Sequence, residues 1–361
     1  MKYKIALASI WLLSGILLNA QVIDERSTVV KSYKVSPSST VEVFNKYGKV
    51  HMVTWDIDSV KFEIDLSIKS SSISKAKKVR NSISFDFTGT EYYITATTEF
   101  GTKYSSFFND LIDFAGSIIP TESEVEINYT VHIPNYVNVK INNKFGDIYI
   151  DDIVGNVTIN LSNGSLKANS FGGDSNIKLS MCDVNINYVN NGKFYTSYTD
   201  LSIGEAGQLN FDSRISQLNI KNTDVLKLNS KKDKLRIINT KQLFGEAYFS
   251  DIEVYNLISK INFRLKYGDI TLEDMQEKFT LIDLSSEYTD INLHFIKGLN
   301  YQLDIKYKDA YVILPDEYDL KKEAINEDEQ EFITYGIVGG QKPEAKVKID
   351  AIKGSIRIYD Q

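Results

Sequence analysis

Residues 144–150, "KFGDIYI", return as "KYGDITL" at 266–272, and looser copies of the phrase lie between them. With Gly146 as an anchor, a short turn followed by apolar, polar, apolar recurs at Gly164, Cys182, Thr199, Ser216, Asp233, Ser250, Gly268, Thr289 and Lys308. The steps are 18, 18, 17, 17, 17, 17, 18, 21 and 19 residues, too regular for unrelated hairpins. The repeat therefore decides the fold before any local propensity does. Two and four residues after every anchor the side chain is apolar, from Ile148 and Ile150 through Leu218 and Ile220 to Ala310 and Val312. The residue between is mostly polar, and strict period-two alternation marks a strand with one buried and one wet face.

Each unit holds a second alternating run before the next anchor, as in Val157-Ile159-Leu161 and Ile261-Phe263-Leu265. Two short strands and two turns in roughly 18 residues cannot close a core alone, so neighbours must stack to bury the apolar columns. The expected fold is all-β, a single-stranded β-solenoid of β-helix or β-roll kind. Its strands would lie parallel at ~4.8 Å, and ten coils would make a rod on the order of 45 Å long. An antiparallel barrel or sandwich also spaces strands every ~8–12 residues, but gives equivalent columns no reason to recur at twice the strand spacing.

The chain divides accordingly. Residues 1–20 run from Lys2 and Lys4 through an apolar stretch, Ile5 to Leu18, to Ala20, the order of a secretory signal peptide. That stretch is shorter than the ~20 residues a membrane-spanning helix needs. Residues 22–140 read as a strand-rich cap over the open end of the array, with a helix near 71–83 and an amphipathic segment at 105–119. Residues 141–315 are the regular array. Residues 316–361 read as a charged loop, "KKEAINEDEQEF" at 321–332, followed by a terminal coil that repeats the phrase at Gly354-Ser355-Ile356-Arg357-Ile358.

Composition narrows the function classes. The 42% hydrophobic and 25% charged residues describe a globular chain. A net charge of -7 with scattered basic residues argues against nucleic acid as a partner. The single cysteine, Cys182, allows no intramolecular disulfide in an exported compartment that permits them. The polar face of 105–119 carries Asp110 and Asp113 without Lys or Arg, so membrane contact is peripheral at most.

Two columns invite chemistry. The residue after the anchor is Asp147, Asp183, Asp200, Asp251, Asp269, Asp290 or Asp309 in seven of ten units. Calcium would need six to eight oxygens, whereas one Asp per turn without a glycine-rich loop is better explained by turn N–H groups. Immediately before the anchor stand Phe145, Tyr198, Phe249, Tyr267, Tyr288 and Tyr307, interrupted by Asn163, Met181, Ile215 and Lys232. Stacked packing at the coil is the expectation, and sugar binding by exposed rings the alternative. His51, His132 and His294 lack ligand-spaced neighbours. No nucleophile elbow, P-loop or dinucleotide fingerprint occurs. No catalytic, cofactor-binding or metal residue is assigned.

The chain resembles exported bacterial β-strand-repeat proteins of the putative-adhesin type, whose molecular function is unknown. The likeness is carried by "VEVFNKYGKVHMVTWD" at 41–56, the lead-in "VHIPNYVNVKINNKFGDIYIDDIVGNVTI" at 131–159 and the iterated phrase after it. It implies a solenoid of envelope location, periplasmic or on the cell surface, and no cofactor or catalytic residues. The expected function is a non-enzymatic adhesin or binding scaffold that presents a β-face to a protein or glycan. A periplasmic sensory partner of an envelope-stress system and a polysaccharide-acting enzyme on the same scaffold are the alternatives.

Overall fold

A computed structural model describes residues 23–101, 123–275, 278–340 and 343–360. The leader at 1–20 and the amphipathic segment at 105–119 lie outside the described residues. The chain is nearly all-β. Its strands are β1 Ile23–Lys34, β2 Thr40–Lys46, β3 Val50–Thr54, β4 Ser59–Ser70, β5 Ile83–Gly89, β6 Tyr93–Phe100, β7 Ser123–Ile133, β8 Asn138–Lys144 and β9 Ile148–Ile153 in the first part. The second part holds β10 Val157–Ser197, β11 Asp200–Arg214, β12 Gln217–Lys231, β13 Lys234–Met275, β14 Leu281–Phe295, β15 Tyr301–Ile313, β16 Lys321–Asn326, β17 Glu331–Val338 and β18 Ala345–Asp360.

Parallel ladders at the sequence period join these runs. Val157 lies beside Val139 and Leu166 beside Ile148, both 18 residues apart. From β10 through β13 the offset is 17, as in Ile186–Ile203–Ile220–Ile237. Between β13 and β14 it is 21, with Ile270 beside Ile291. Like therefore stacks on like, and the inward residues form continuous apolar columns, among them Leu201–Leu218–Leu235 and the stacked pair Phe194–Phe211 at 4.7 Å. The phrase at 41–56 joins the same system: β2 pairs in parallel with β8, and β3 with β9.

The beginning of the chain pairs onto this end. β1 pairs antiparallel with β4, and β4 with β7, while β7 runs parallel to β3. On the other side β5 pairs antiparallel with β6, which is parallel to β2. The expected helix forms as α1, Ile73–Arg80; Ser72 caps it by accepting a hydrogen bond from the Lys75 N–H at 3.3 Å. Ala76 is its buried contact, while Ile83 already belongs to β5.

The C-terminal end departs from the sequence reading in three ways. The last phrase does not stack after β15. Instead β18 is inserted between β14 and β15, parallel to both, with Ile291, Ile356 and Val312 in one row. Periodicity reads order along the chain, and here order in the stack differs from it. The final anchor consequently shifts from Lys308 to Ala310, which lies beside Gly354 and, through it, Thr289. The charged run at 321–332 is also not a loop. It supplies β16 and the start of β17, an antiparallel hairpin laid on β15. Its outer strand β16 is exposed and carries Lys321, Lys322 and Glu323; charged side chains on an edge strand discourage pairing with another chain.

The anchor position varies in chemistry from unit to unit, yet Gly146 itself is not free to change. A Cβ there would stand 1.9 Å from the Gly48 carbonyl oxygen, and one on Gly164 would stand 2.1 Å from the Gly146 oxygen. These three glycines let successive backbones touch at the turn.

Candidate binding face

The turn before each anchor is built from residues in the left-handed region. Tyr47, Phe145, Asn163, Met181, Tyr198, Ile215, Lys232, Phe249, Tyr267, Tyr288, Lys353 and Asp309 all have φ between 52° and 63°. Such a conformation costs an ordinary L-residue roughly 1–2 kcal/mol. It persists because the corner N–H is fixed by the neighbouring repeat: Phe145 N–H donates to Ser162 O at 3.0 Å, Ile215 N–H to Lys231 O at 3.0 Å, and Lys232 N–H to Tyr248 O at 2.9 Å. The corner side chain is thereby turned outward.

The outcome is a ridge of apolar and aromatic groups at the edge of the stack. Phe145, Met181, Tyr198, Ile215, Phe249 and Tyr288 are 38% to 52% exposed. Tyr47 stacks on Phe145 at 5.6 Å, Phe249 on Tyr267 at 4.7 Å, and Tyr267 on Tyr288 at 5.2 Å. Cations close the series, with Lys46 over Tyr47 and Lys353 over Tyr288, each at 4.8 Å. The rings thus pack on one another along the rim, as expected, while their outer surfaces face solvent. Tyr307 is a correction: it lies beside Ala351 and is buried, because its row is shifted by two from the sequence alignment. Tyr47 takes a place in the ridge that the sequence alignment did not give it.

Inside the same corner runs a polar spine. Thr199 N–H donates to Ser216 Oγ at 3.2 Å, Ser216 N–H to Asp233 Oδ1 at 2.8 Å, and Asp233 N–H to Ser250 Oγ at 3.1 Å. Ser230 Oγ and Lys231 N–H donate to the other carboxylate oxygen of Asp233, at 2.6 and 3.1 Å. Burial pushes the Asp233 carboxyl up, and these donors pull the other way. The spine satisfies backbone groups that the left-handed turn leaves inside.

The outward Asp column is shorter than the sequence suggested. Asp269 lies beside Asp290, and Asp290 beside Ser355, whose Oγ donates to Asp290 Oδ1 at 2.5 Å; Asp309 stands in the corner row instead. Asp147 accepts from the Ser165 N–H and Oγ of the next repeat at 2.8 and 2.7 Å, the turn role expected of this column. Partial burial, then the neighbouring Asp251, Asp290 and Glu253, push the Asp269 carboxyl up to about 6. The folded state therefore holds this proton more tightly than the unfolded chain. Its contribution to stability is fully present below the ordinary carboxylate value and is lost as pH rises through about 6. Screening at a partly exposed site limits the effect to about 1 kcal/mol. Asp269→Asn should raise the melting temperature at pH 8 and flatten its dependence between pH 4 and 7; an unchanged pH profile would mean the carboxylates do not repel one another.

His51, His132 and His294 lie in β3, β7 and β14. His132 Nε2 is 3.7 Å from Glu63, and His294 stacks on Tyr359 at 4.5 Å. No group of three or more His, Cys, Asp or Glu suited to a metal ion occurs among the described residues.

No family model matches the chain, and no curated protein does. Among solved structures it is similar to a putative cell adhesion protein from Clostridium sporogenes, at 9% identity over 93% of this chain and 100% of that one, with a TM-score of 0.18. It is likewise similar to a putative adhesin from Parabacteroides distasonis, at 9% identity over 74% and 93%, TM-score 0.33. A third, a putative adhesin from Parabacteroides merdae, matches at 8% identity over 92% and 95%, TM-score 0.29. These neighbours carry the description of the group that the sequence resembles. At such scores they lend no weight to fold or function, which rest on the chain's own geometry.

Proposed function

We propose that the chain is a β-solenoid that works as a non-enzymatic binding scaffold of the cell envelope, of adhesin kind. In-register parallel ladders at the sequence period support the coiled reading. The observation that carries the binding role is the corner ridge. Twelve consecutive rows place a left-handed residue there, and half-exposed aromatic or aliphatic side chains fill six of them. Strain and solvent-facing apolar surface both cost stability, and such costs collect where a surface is used. Export of the mature chain from Gln21 would deliver the ridge to the envelope.

Two measurements test this. Protease added to intact cells should cut the protein if it is displayed; complete protection would instead favour a periplasmic regulator. Purified protein should be retained by a panel of immobilised polysaccharides and matrix proteins. Phe249→Ser with Tyr267→Ser and Tyr288→Ser should weaken the retained interaction at least tenfold without lowering the melting temperature. Retention by no member of the panel, together with protection on cells, would overturn the scaffold reading.

A further inference from the structure

Beside the ridge, the strands that lead into each corner form a second outward surface. Its three columns are Lys193–Asn210–Lys227, Tyr195–Asp212–Asn229 and Ser197–Arg214–Lys231, continued on the preceding repeat by Lys178 and Ser180. A groove of about 850 Å³ lies along it, lined by Asn160, Lys178, Tyr195, Arg214, Asn229 and Lys231 among others. Lys178, Lys193, Arg214, Lys227 and Lys231 are exposed, and none forms an ion pair among the described residues. Asp212 is the one carboxylate in these columns and is likewise unpaired. Further along the same columns the cations are neutralised, Arg264 by Glu246 at 3.6 Å, Lys266 by Glu287 at 2.8 Å and Lys306 by Glu331 at 2.7 Å. On these columns the cations without an ion pair are thus gathered in the rows from 178 to 231, on a chain whose net charge is -7.

We propose that this groove binds a linear acidic polysaccharide, its chain running along the stacking direction. This deepens the binding-scaffold reading and rests on it. Three of four successive rows place a cation without an ion pair in the groove, Lys178, Arg214 and Lys231, with Asp212 the carboxylate among them, and Lys193 and Lys227 stand in the column at its side. Their rows are ~4.8 Å apart, about the length of one sugar unit, so a polymer with a carboxylate on every unit meets a cation in the groove or at its side at each row. Asn160, Asn229, Ser180 and Ser197 place amide and hydroxyl groups among the charges, the partners that sugar hydroxyls need. Tyr195 offers a ring, with Lys193 and Lys178 at 5.0 and 5.7 Å from its centroid. One aromatic in the groove is too few for the base stacking by which single-stranded nucleic acid is held, which favours the glycan.

The test uses the mature chain and polygalacturonate as probe, with its fully methyl-esterified form as the uncharged counterpart and single-stranded DNA as a different polyanion. Polygalacturonate should bind, weaken as salt is raised, and bind at least tenfold more tightly than either comparison polymer. Lys178→Ser with Arg214→Ser and Lys231→Ser should reduce that affinity at least tenfold. Lys167→Ser with Lys221→Ser and Lys234→Ser removes the same charge from other exposed positions and should leave the affinity within twofold. Equal loss in the two variants, equal binding of the ester or the DNA, or no binding of polygalacturonate would overturn the proposal. Loss confined to the Phe249, Tyr267 and Tyr288 variant would overturn the groove while leaving the binding-scaffold reading standing.

Discussion

A chain ending at residue 342 is expected to lose the C-terminal end of the stack, a far larger effect than trimming a terminal strand should have. β18 has a parallel partner on each side, β14 and β15. Its inward side chains Val347, Ile349, Ile356 and Ile358 are buried. At roughly 1.5–3 kcal/mol for each large side chain, their removal forfeits about 8 kcal/mol of burial. It also leaves β14 with an uncovered edge and deprives β15 of its only parallel neighbour among the described residues. The β15–β17 and β16–β17 pairings are antiparallel and local; a sheet this small needs a packed apolar face for independent stability, and without β18 the apolar face of β15 loses the row it packs beside. Limited proteolysis should therefore cut between 296 and 340 in the shortened protein and spare that segment in the full chain. Persistent protection would mean that β14 and β15 pair directly, as chain order alone suggests.

The second large effect concerns the interior. Ile220 is 1% exposed and lies in a row between Ile203 and Ile237. Ile220→Asp places a carboxylate where the neighbours above and below are apolar and offer it no hydrogen-bond donor. An unpaired buried charge costs about 3–5 kcal/mol, and the lost isoleucine adds a transfer and cavity cost. In a repeat array the damage is felt first by the rows in contact with it, so the transition should broaden or divide rather than simply shift. Hydrogen exchange should quicken in β11, β12 and the start of β13 while β2, β3, β8 and β9 stay protected. Asn219→Asp, one position away on the wet face, is the companion change and should alter the melting temperature little; comparable loss from both would mean the alternation has been read in the wrong phase.

Most of the scaffold was legible because the repeat writes it many times over. Each column from Ile148 to Leu293 is an independent statement of the same inward position, and the parallel offsets of 17 and 18 residues follow from the anchor spacing. What escaped were features that no single repeat encodes. Insertion of β18 between β14 and β15 depends on which neighbour buries more surface, and a sequence period carries no record of stacking order. The alternation Glu25, Ser27, Val29 in β1 is too polar to announce a strand, and it forms because β4 supplies a long antiparallel partner.

The functional surfaces were legible in part. The aromatic column was visible, but its outward, left-handed setting was not, since Tyr, Met, Ile and Lys have no intrinsic tendency toward that conformation. One signal was available: a position that accepts Phe, Asn, Met, Tyr, Ile and Lys across equivalent turns is not a core position. The cationic groove was hidden by arithmetic, because an overall charge of -7 and scattered lysines say nothing of which rows bring them together.

The central claim is that the chain pairs with itself in parallel at a fixed offset of 17 residues through its middle. Asn185 lies directly beside Ser202, and Ser202 beside Asn219. Cα atoms of adjacent strands fall within the span a disulfide bridges, whereas those two strands apart, at ~10 Å, do not. In a chain carrying Cys182→Ser, the pair Asn185→Cys and Ser202→Cys should form an intramolecular disulfide readily under mild oxidation, and Asn185→Cys with Asn219→Cys should remain reduced. A bridge in the second pair, or none in the first, would contradict the parallel stacking on which the account depends.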